Sequence, residues 1–254
     1  MAQNAASGRS RRDALRLVVA AAPALLMAAA WPRVAGAATN TAQPLKIGMI
    51  GSGRQGGALG SLWVKAGHPV MFSSRNPEEL KDLVAGLGPL ARAGTVAQAI
   101  AFGDVVVIVV PYPAMREIGH DYAAALAKKA LVIDVSNPNA RRDGDAIVDW
   151  VNQQGGAGLA TAKLLPGAHL VRGFNAIGYM LLSKDAHHAG GEIGIPIAGD
   201  DPKAIAIAST LIRQIGYEPV LIGGLAKGKY LVPGTPLRGA HTPAEIRQIA
   251  AGLG

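Results

Sequence analysis

The chain has 254 residues, half of them hydrophobic, with a formal net charge of +8 and no cysteine. That length holds one large or two small domains with ample core, and the missing thiols exclude disulfides, thiolate nucleophiles and cysteine metal sites. The six histidines show no ligand spacing, His187 and His188 being adjacent, so no metal is expected.

Much of the basic excess lies at the start. Ser10-Arg11-Arg12-Asp13-Ala14-Leu15-Arg16 precedes the apolar run Leu17 to Ala30, and Ala35-Gly36-Ala37 offers small residues suited to signal-peptidase cleavage. This order resembles a twin-arginine export signal over 1–37, with a linker over 38–44. A membrane anchor and a cytoplasmic protein with a basic tail are the competing readings. The apolar run is short of the ~20 residues that span a bilayer, so no stable anchor is expected. Export through the twin-arginine machinery, into the periplasm or beyond, is. Residues 1–37 carry Arg9, Arg11, Arg12, Arg16, Arg33 and Asp13, and losing them lowers the charge from +8 to +4. The excess is therefore mainly targeting, and no nucleic-acid partner is expected.

The mature part opens on Leu45 to Ile50, a short apolar run ending in glycines, as a buried parallel strand does. Gly51-Ser52-Gly53-Arg54-Gln55-Gly56 follows. In such a turn the first glycine permits the bend, the second lets a pyrophosphate approach the backbone, and the third lets the next helix pack on the strand. That helix begins near Arg54, with Leu59, Leu62, Trp63 and Ala66 at helical spacing, and ends at Gly67-His68. Its first-turn amides face the phosphates.

Val70 to Phe72 reads as the second strand, after which an NAD site places an acid to accept from the ribose hydroxyls. Ser74 and Arg75 stand there instead. A hydroxyl beside a planar fork of donors suits a 2′-phosphate, so NADP(H) is the expected dinucleotide.

Alternation then continues. Helices are expected over Glu78 to Ala85 and Thr95 to Phe102, with a weak strand around Leu90 to Ala93. Asp104 to Val110 is the strongest strand, stopped by Pro111-Tyr112-Pro113 at the carboxyl edge where ligands sit. A helix over Ala114 to Lys128 returns to the strand Leu131 to Val135, whose edge loop Ser136-Asn137-Pro138 adds polar groups. Arg141 to Gly144 opens a polar connection to helices over Ala146 to Gln153 and Leu159 to Leu165. A strand over His169 to Phe174 ends in Asn175-Ala176-Ile177-Gly178. Ile195 to Ala198 is expected at the sheet edge, where Pro196 is tolerated. Asp201-Pro202 caps a helix containing Ala204, Ala208, Leu211 and Ile215, and Pro219 to Ile222 adds a last strand. The fold class is α/β, an NAD(P)-binding Rossmann-like, mostly parallel doubly wound sheet over 45–237 with a small C-terminal α/β extension. A polar tail over 238–254 completes the chain.

From Lys46 to Leu237 this ordered set resembles the coenzyme F420 (deazaflavin)-dependent NADP oxidoreductase family. The resemblance is carried by the glycine loop, Ser74-Arg75, Val110-Pro111-Tyr112, Phe174-Asn175-Ala176-Ile177 and Pro196 to Asp201. It implies that Ser52 through Gly56 hold the pyrophosphate, Ser74 and Arg75 the 2′-phosphate, and Pro111 and Tyr112 the nicotinamide. Asn175 to Gly178 would approach the nicotinamide or the second substrate. The cofactor-binding candidates are therefore Gly51, Ser52, Gly53, Arg54, Gln55, Gly56, Ser74, Arg75, Val110, Pro111, Tyr112, Asn137 and Gly178. Two departures stand out. Pro77-Glu78-Glu79 follows the Ser-Arg pair where the family often has a further base, Lys81 being the nearest. The tail after Gly234 lacks the apolar helix that helps cover the deazaflavin.

Hydride transfer between two flat rings needs stacking and dryness more than acid–base groups, and the chain has no Ser/His/Asp order or paired carboxylates. If a proton is required, Tyr112, Asn175 or His120 could relay it. Each also has a bland reading, as packing lid, loop cap and helix-surface residue. The expected activity is NADP(H)-dependent hydride transfer to a flavin- or deazaflavin-like or other small acceptor, with homodimerisation open. The alternatives are a redox-inactive NADP-binding sensor or partner subunit and a β-hydroxyacid or imine-type dehydrogenase.

Overall fold

A computed structural model describes residues 44–187 and 192–254, which fall within one compact unit, Thr41–Gly254. The export signal expected over 1–37 lies outside the described residues. The first half repeats one pattern: β1 (Ile47–Ile50), α1 (Arg54–Lys65), β2 (Val70–Ser73), a 3₁₀ turn (Pro77–Leu80) running into α2 (Lys81–Leu87), β3 (Ala91–Gly94), α3 (Val96–Phe102) and β4 (Val105–Ile108). α4 (Ala114–Leu126), β5 (Leu131–Asp134), α5 (Ala140–Asp143), α6 (Asp145–Gln153), α7 (Ala157–Leu164) and β6 (Leu170–Arg172) follow. The chain closes with α8 (Tyr179–Asp185), β7 (Gly194–Gly199), α9 (Pro202–Gln214), β8 (Glu218–Gly223), a 3₁₀ segment (Leu225–Leu231) and α10 (Pro243–Ala251).

The strands form one sheet in the order β3-β2-β1-β4-β5-β6-β7-β8, parallel throughout except for β6 against β7. This is the Rossmann-like NAD(P)-binding fold. Both faces are covered, which is why β4 reads as unbroken valine and isoleucine: Val105 and Val107 join the cluster under α1 and α9, whereas Val106 and Ile108 join the cluster under α4. Trp63 locks α1 down. Its indole N–H donates to the Leu211 carbonyl at 3.0 Å, and its ring meets Phe174 edge-on at 5.8 Å. Sequence signals mark some ends well. Thr95, for example, forms a capping box with Gln98 at the start of α3.

Two expectations are corrected. β7 is an interior strand and β8 is the edge. Pro196 is tolerated because β6 pairs with β7 only at Val171–Gly199 and Arg172–Ala198, so no β6 partner waits for the missing N–H. The polar tail 238–254 belongs to the fold. Thr242 and Glu245 form a capping box, α10 buries Ile246 completely, and the Gly194 amide donates to the His241 carbonyl at 2.8 Å. One buried residue, with the partly buried Ile249 packed beside it, seats this short helix, and composition alone hides it. α8 starts at Gly178 with no side-chain cap. Among the described residues no helix is long and apolar enough to cross a membrane.

Candidate functional site

The carboxyl ends of β1, β4 and β5 and the loop after β6 enclose a cleft of about 310 Å³, at the position where open α/β sheets bind ligands. Its first wall is the turn from β1 into α1. Gly51 has φ +91°, and a Cβ there would lie 2.2 Å from the Val109 carbonyl oxygen; a Cβ on Gly56 would lie 2.0 Å from that of Gly51. The protein's own backbone therefore forbids side chains at both. Gly53 is different: a Cβ there meets nothing within 4 Å, so its open space can admit a ligand against the main chain. Gly53 is also the N-cap of α1, with no side-chain cap and no acid in the first turn. The orphan amides and the positive end of the helix dipole are left for an anion. These features fit a pyrophosphate, and the residues that would hold it are Gly53 to Gly56.

Register extends this wall sideways. Ile50 pairs with Ser73, so Ser74 and Arg75 emerge beside Gly51. Ser52 Oγ donates to the Ser73 carbonyl at 3.1 Å, and Ser74 Oγ accepts from the Asn76 amide at 3.1 Å. Arg75 is exposed.

The facing wall is built from side chains. Arg172 and Asp134 form an ion pair with both side chains fully buried. Arg172 Nη2 also donates to the Ser136 carbonyl (3.1 Å) and to Asn137 Oδ1 (3.0 Å). Asp134 accepts in addition from the Ser136 amide and the Thr161 hydroxyl, each at 2.8 Å. Asn137 Nδ2 then donates to the Asn175 carbonyl at 2.8 Å. Asn175 Nδ2 donates to the carbonyls of Asp134 (3.1 Å) and Ser136 (3.4 Å), while its buried Oδ1 has no partner. That unpaired acceptor on a cleft residue is the second sign of a ligand. Gln55 ties the walls together, its Nε2 donating to the carbonyls of Phe174 (3.3 Å) and Ile177 (3.0 Å). Phe174 is held at φ +62°, a strained conformation for an aromatic residue.

Of the residues singled out from sequence, Gly53, Arg54, Gln55, Gly56, Val110, Pro111, Asn137 and Asn175 line the cleft. Gly51 and Ser52 shape the turn beneath it, and Ser74 and Arg75 stand beside that turn. Gly178 is an exposed cap of α8 and lies off the cleft. The expectation that Tyr112 faces the nicotinamide is corrected. The turn after Pro111 sends its side chain into the helix layer among Val151, Ala157 and Ala160. Its hydroxyl lies 3.0 Å from Thr161 Oγ1, and burial, reinforced by the charge of Asp134, pushes its pKa from 10.0 up to about 12. It is no proton donor to the cleft. His120 sits on α4 with its side chain 88% exposed, paired with Asp121.

Arg172, Asp134, Thr161, Asn139 and Arg142 went unrecognised. The first two carried a signal, namely a charge within or ending an apolar strand run, which burial tolerates only when paired. Arg142 forks onto Asp143 at 2.6 and 2.7 Å and reaches the Asn137 carbonyl at 2.7 Å. Burial opposes ionisation of Asp143, yet the bonds from Arg142 hold its carboxyl below the usual range.

Fold and turn together define a Rossmann-like dinucleotide-binding protein. Comparison with known proteins refines the class. Residues 46–138 match the family described as NADP oxidoreductase, coenzyme F420-dependent. Metalloreductase STEAP3 of Rattus norvegicus is 30% identical over 197 residues, 76% of this chain, which spans only 36% of that relative. A hypothetical protein from Sinorhizobium meliloti superposes with a TM-score of 0.63 at 24% identity, covering 79% of this chain and 96% of that one. A candidate F420-dependent NADP reductase from Arthrobacter sp. FB24 gives 0.61 at 20% identity, covering 73% and 87%. At these identities the two structures show the shared fold.

Proposed function

We propose that this chain is an NADP(H)-dependent oxidoreductase that passes a hydride between NADPH and a flavin-like, deazaflavin-like or other small acceptor. The observation that carries the reading is the uncapped, acid-free start of α1 over Gly53, set beside Ser74 and Arg75. The family match over 46–138 and the likeness to a metalloreductase support it. When bound, NADPH supplies two electrons and one proton as a hydride, the acceptor taking any second proton from solvent. The chain's own part is positional. Backbone amides of the first turn hold phosphate, and Arg75 supplies donors to the 2′-phosphate. The Asp134–Arg172 pair fixes Asn137 and Asn175, and Val110 and Pro111 present an apolar surface that excludes water.

Isothermal titration tests this. NADPH should bind much more tightly than NADH, and Arg75→Ala should remove most of the difference, about 1.5–3 kcal/mol or roughly ten- to a hundredfold. Equal affinities in the unmutated protein would overturn it. The segment Ser10 to Ala37 supports a further reading, that the protein crosses the membrane folded by the twin-arginine route. Arg11→Lys with Arg12→Lys should then leave it in the cytoplasm, and normal export of that double variant refutes this.

A further inference from the structure

Helix α1 grips the loop after β6 and the start of α8 at three points. Gln55, in its first turn, spans the cleft, and its Nε2 donates to the carbonyls of Phe174 (3.3 Å) and Ile177 (3.0 Å), which lie 119 and 122 positions further along the chain. Both partners only accept, so the NH₂ end of the side chain must face them. Two turns on, Trp63 meets the Phe174 ring edge-on at 5.8 Å, while its own indole N–H is anchored on the Leu211 carbonyl. Arg54 Cζ lies 5.8 Å from the centre of the Tyr179 ring. The loop held in this way contains Phe174 at φ +62°, a conformation that an unrestrained aromatic residue leaves. It also carries Asn175, with its buried, unpaired Oδ1.

Gln55 therefore has two parts with different duties. Its backbone amide belongs to the uncapped turn that faces phosphate, and it remains whatever the side chain is. Its side chain touches the opposite wall. With phosphates at the β1 turn and the 2′-phosphate beyond it after β2, the nicotinamide end of the dinucleotide extends the other way, toward β4 and β5. Phe174, Asn175 and Ile177 line the cleft together with Val110 and Pro111, which follow β4. The loop that Gln55 holds is thus the loop that the nicotinamide meets.

We propose that Gln55 is a positioning residue for the nicotinamide ring. Its side chain fixes the Phe174–Ile177 loop at a set distance from the phosphate turn, so that the two ends of the cofactor are bound in register. Without the two hydrogen bonds, Phe174 relaxes toward negative φ and carries Asn175 with it. Contact with the nicotinamide depends on this clamp, whereas contact with the phosphates does not. The assignment rests on the reading of the cleft as the dinucleotide site.

2′-Phospho-ADP-ribose is NADPH with a hydroxyl in place of the dihydronicotinamide, so titrating both ligands against the unmutated protein and Gln55→Met separates the two duties. Methionine keeps the length and helix propensity of the side chain and removes its donors. The ribose compound should bind both proteins within about twofold, which also shows that the variant is folded. NADPH should bind Gln55→Met about three- to tenfold more weakly, the size of a hydrogen bond lost. The fluorescence of the bound dihydronicotinamide should move toward that of NADPH in water, a change that a loss of stability alone does not produce. Equal loss of both ligands, unchanged NADPH affinity or unchanged fluorescence of the bound cofactor overturns the proposal. Failure of the unmutated protein to bind either ligand instead overturns the dinucleotide reading itself.

Discussion

The two walls of the cleft are made from different materials. The wall at Gly51 to Gly56 is backbone: its free groups are amides, and Gly51 and Gly56 are specified by what they lack, a Cβ that would collide at 2.2 or 2.0 Å. The wall at Asp134, Asn137, Arg172 and Asn175 is side chain, a buried network in which the polar groups hold one another except at Asn175 Oδ1 and Arg172 Nε. A backbone wall suits phosphate, which looks the same on every nucleotide. A side-chain wall can be tuned to one ring or one acceptor, but it is vulnerable to the loss of any member.

Asp134→Ala should have the largest effect on this contrast. It strands the Arg172 guanidinium in a site with no exposure, a loss on the order of 3–5 kcal/mol, read as a lower midpoint in urea unfolding. A loss below about 1 kcal/mol would mean that the network is not held as a unit. Gly56→Ala comes next, at about 1–3 kcal/mol of stability. Titration should show loss of NADPH and adenosine 2′,5′-bisphosphate binding together, because the phosphate wall itself moves. Retained binding of either would break the comparison.

A third effect, absent at neutral pH, is visible only at high pH. The Tyr112 pKa is raised from 10.0 to about 12 in the folded state. Its stabilisation is complete below pH 10, where both states are protonated, and is lost between about pH 10 and 12 as the unfolded chain ionises first. The unmutated protein should therefore lose about 1.4 kcal/mol per pH unit in that window relative to Tyr112→Phe. Parallel stability curves for the two would show that the Tyr112 hydroxyl is not held as its bond to Thr161 indicates.

Legibility in the sequence follows the same division. The glycine turn and Ser74-Arg75 could be read because local conformation specifies them: strand, tight turn, helix and strand end lie within thirty or so residues of one another. Asn137 and Asn175 could be named but not explained. Their roles depend on Arg172, which is 35 residues from Asn137 in the chain and meets it only because β5 and β6 pair. Tyr112 was misjudged for a related reason. Its position after Pro111 is local, but the direction of its side chain is set by α6 and α7, more than thirty residues on.

The amino-acid sequence alone determined the alternation of strands and helices, the nucleotide turn and the group beside it, since each depends on neighbours in the chain and on hydrophobic period. Tertiary structure decided which strand is the edge, the seating of α10, the burial of the Asp134–Arg172 pair and the reach of Gln55 across the cleft. These depend on which distant segments pack together, and burial, which makes a charge costly, is a property of that packing.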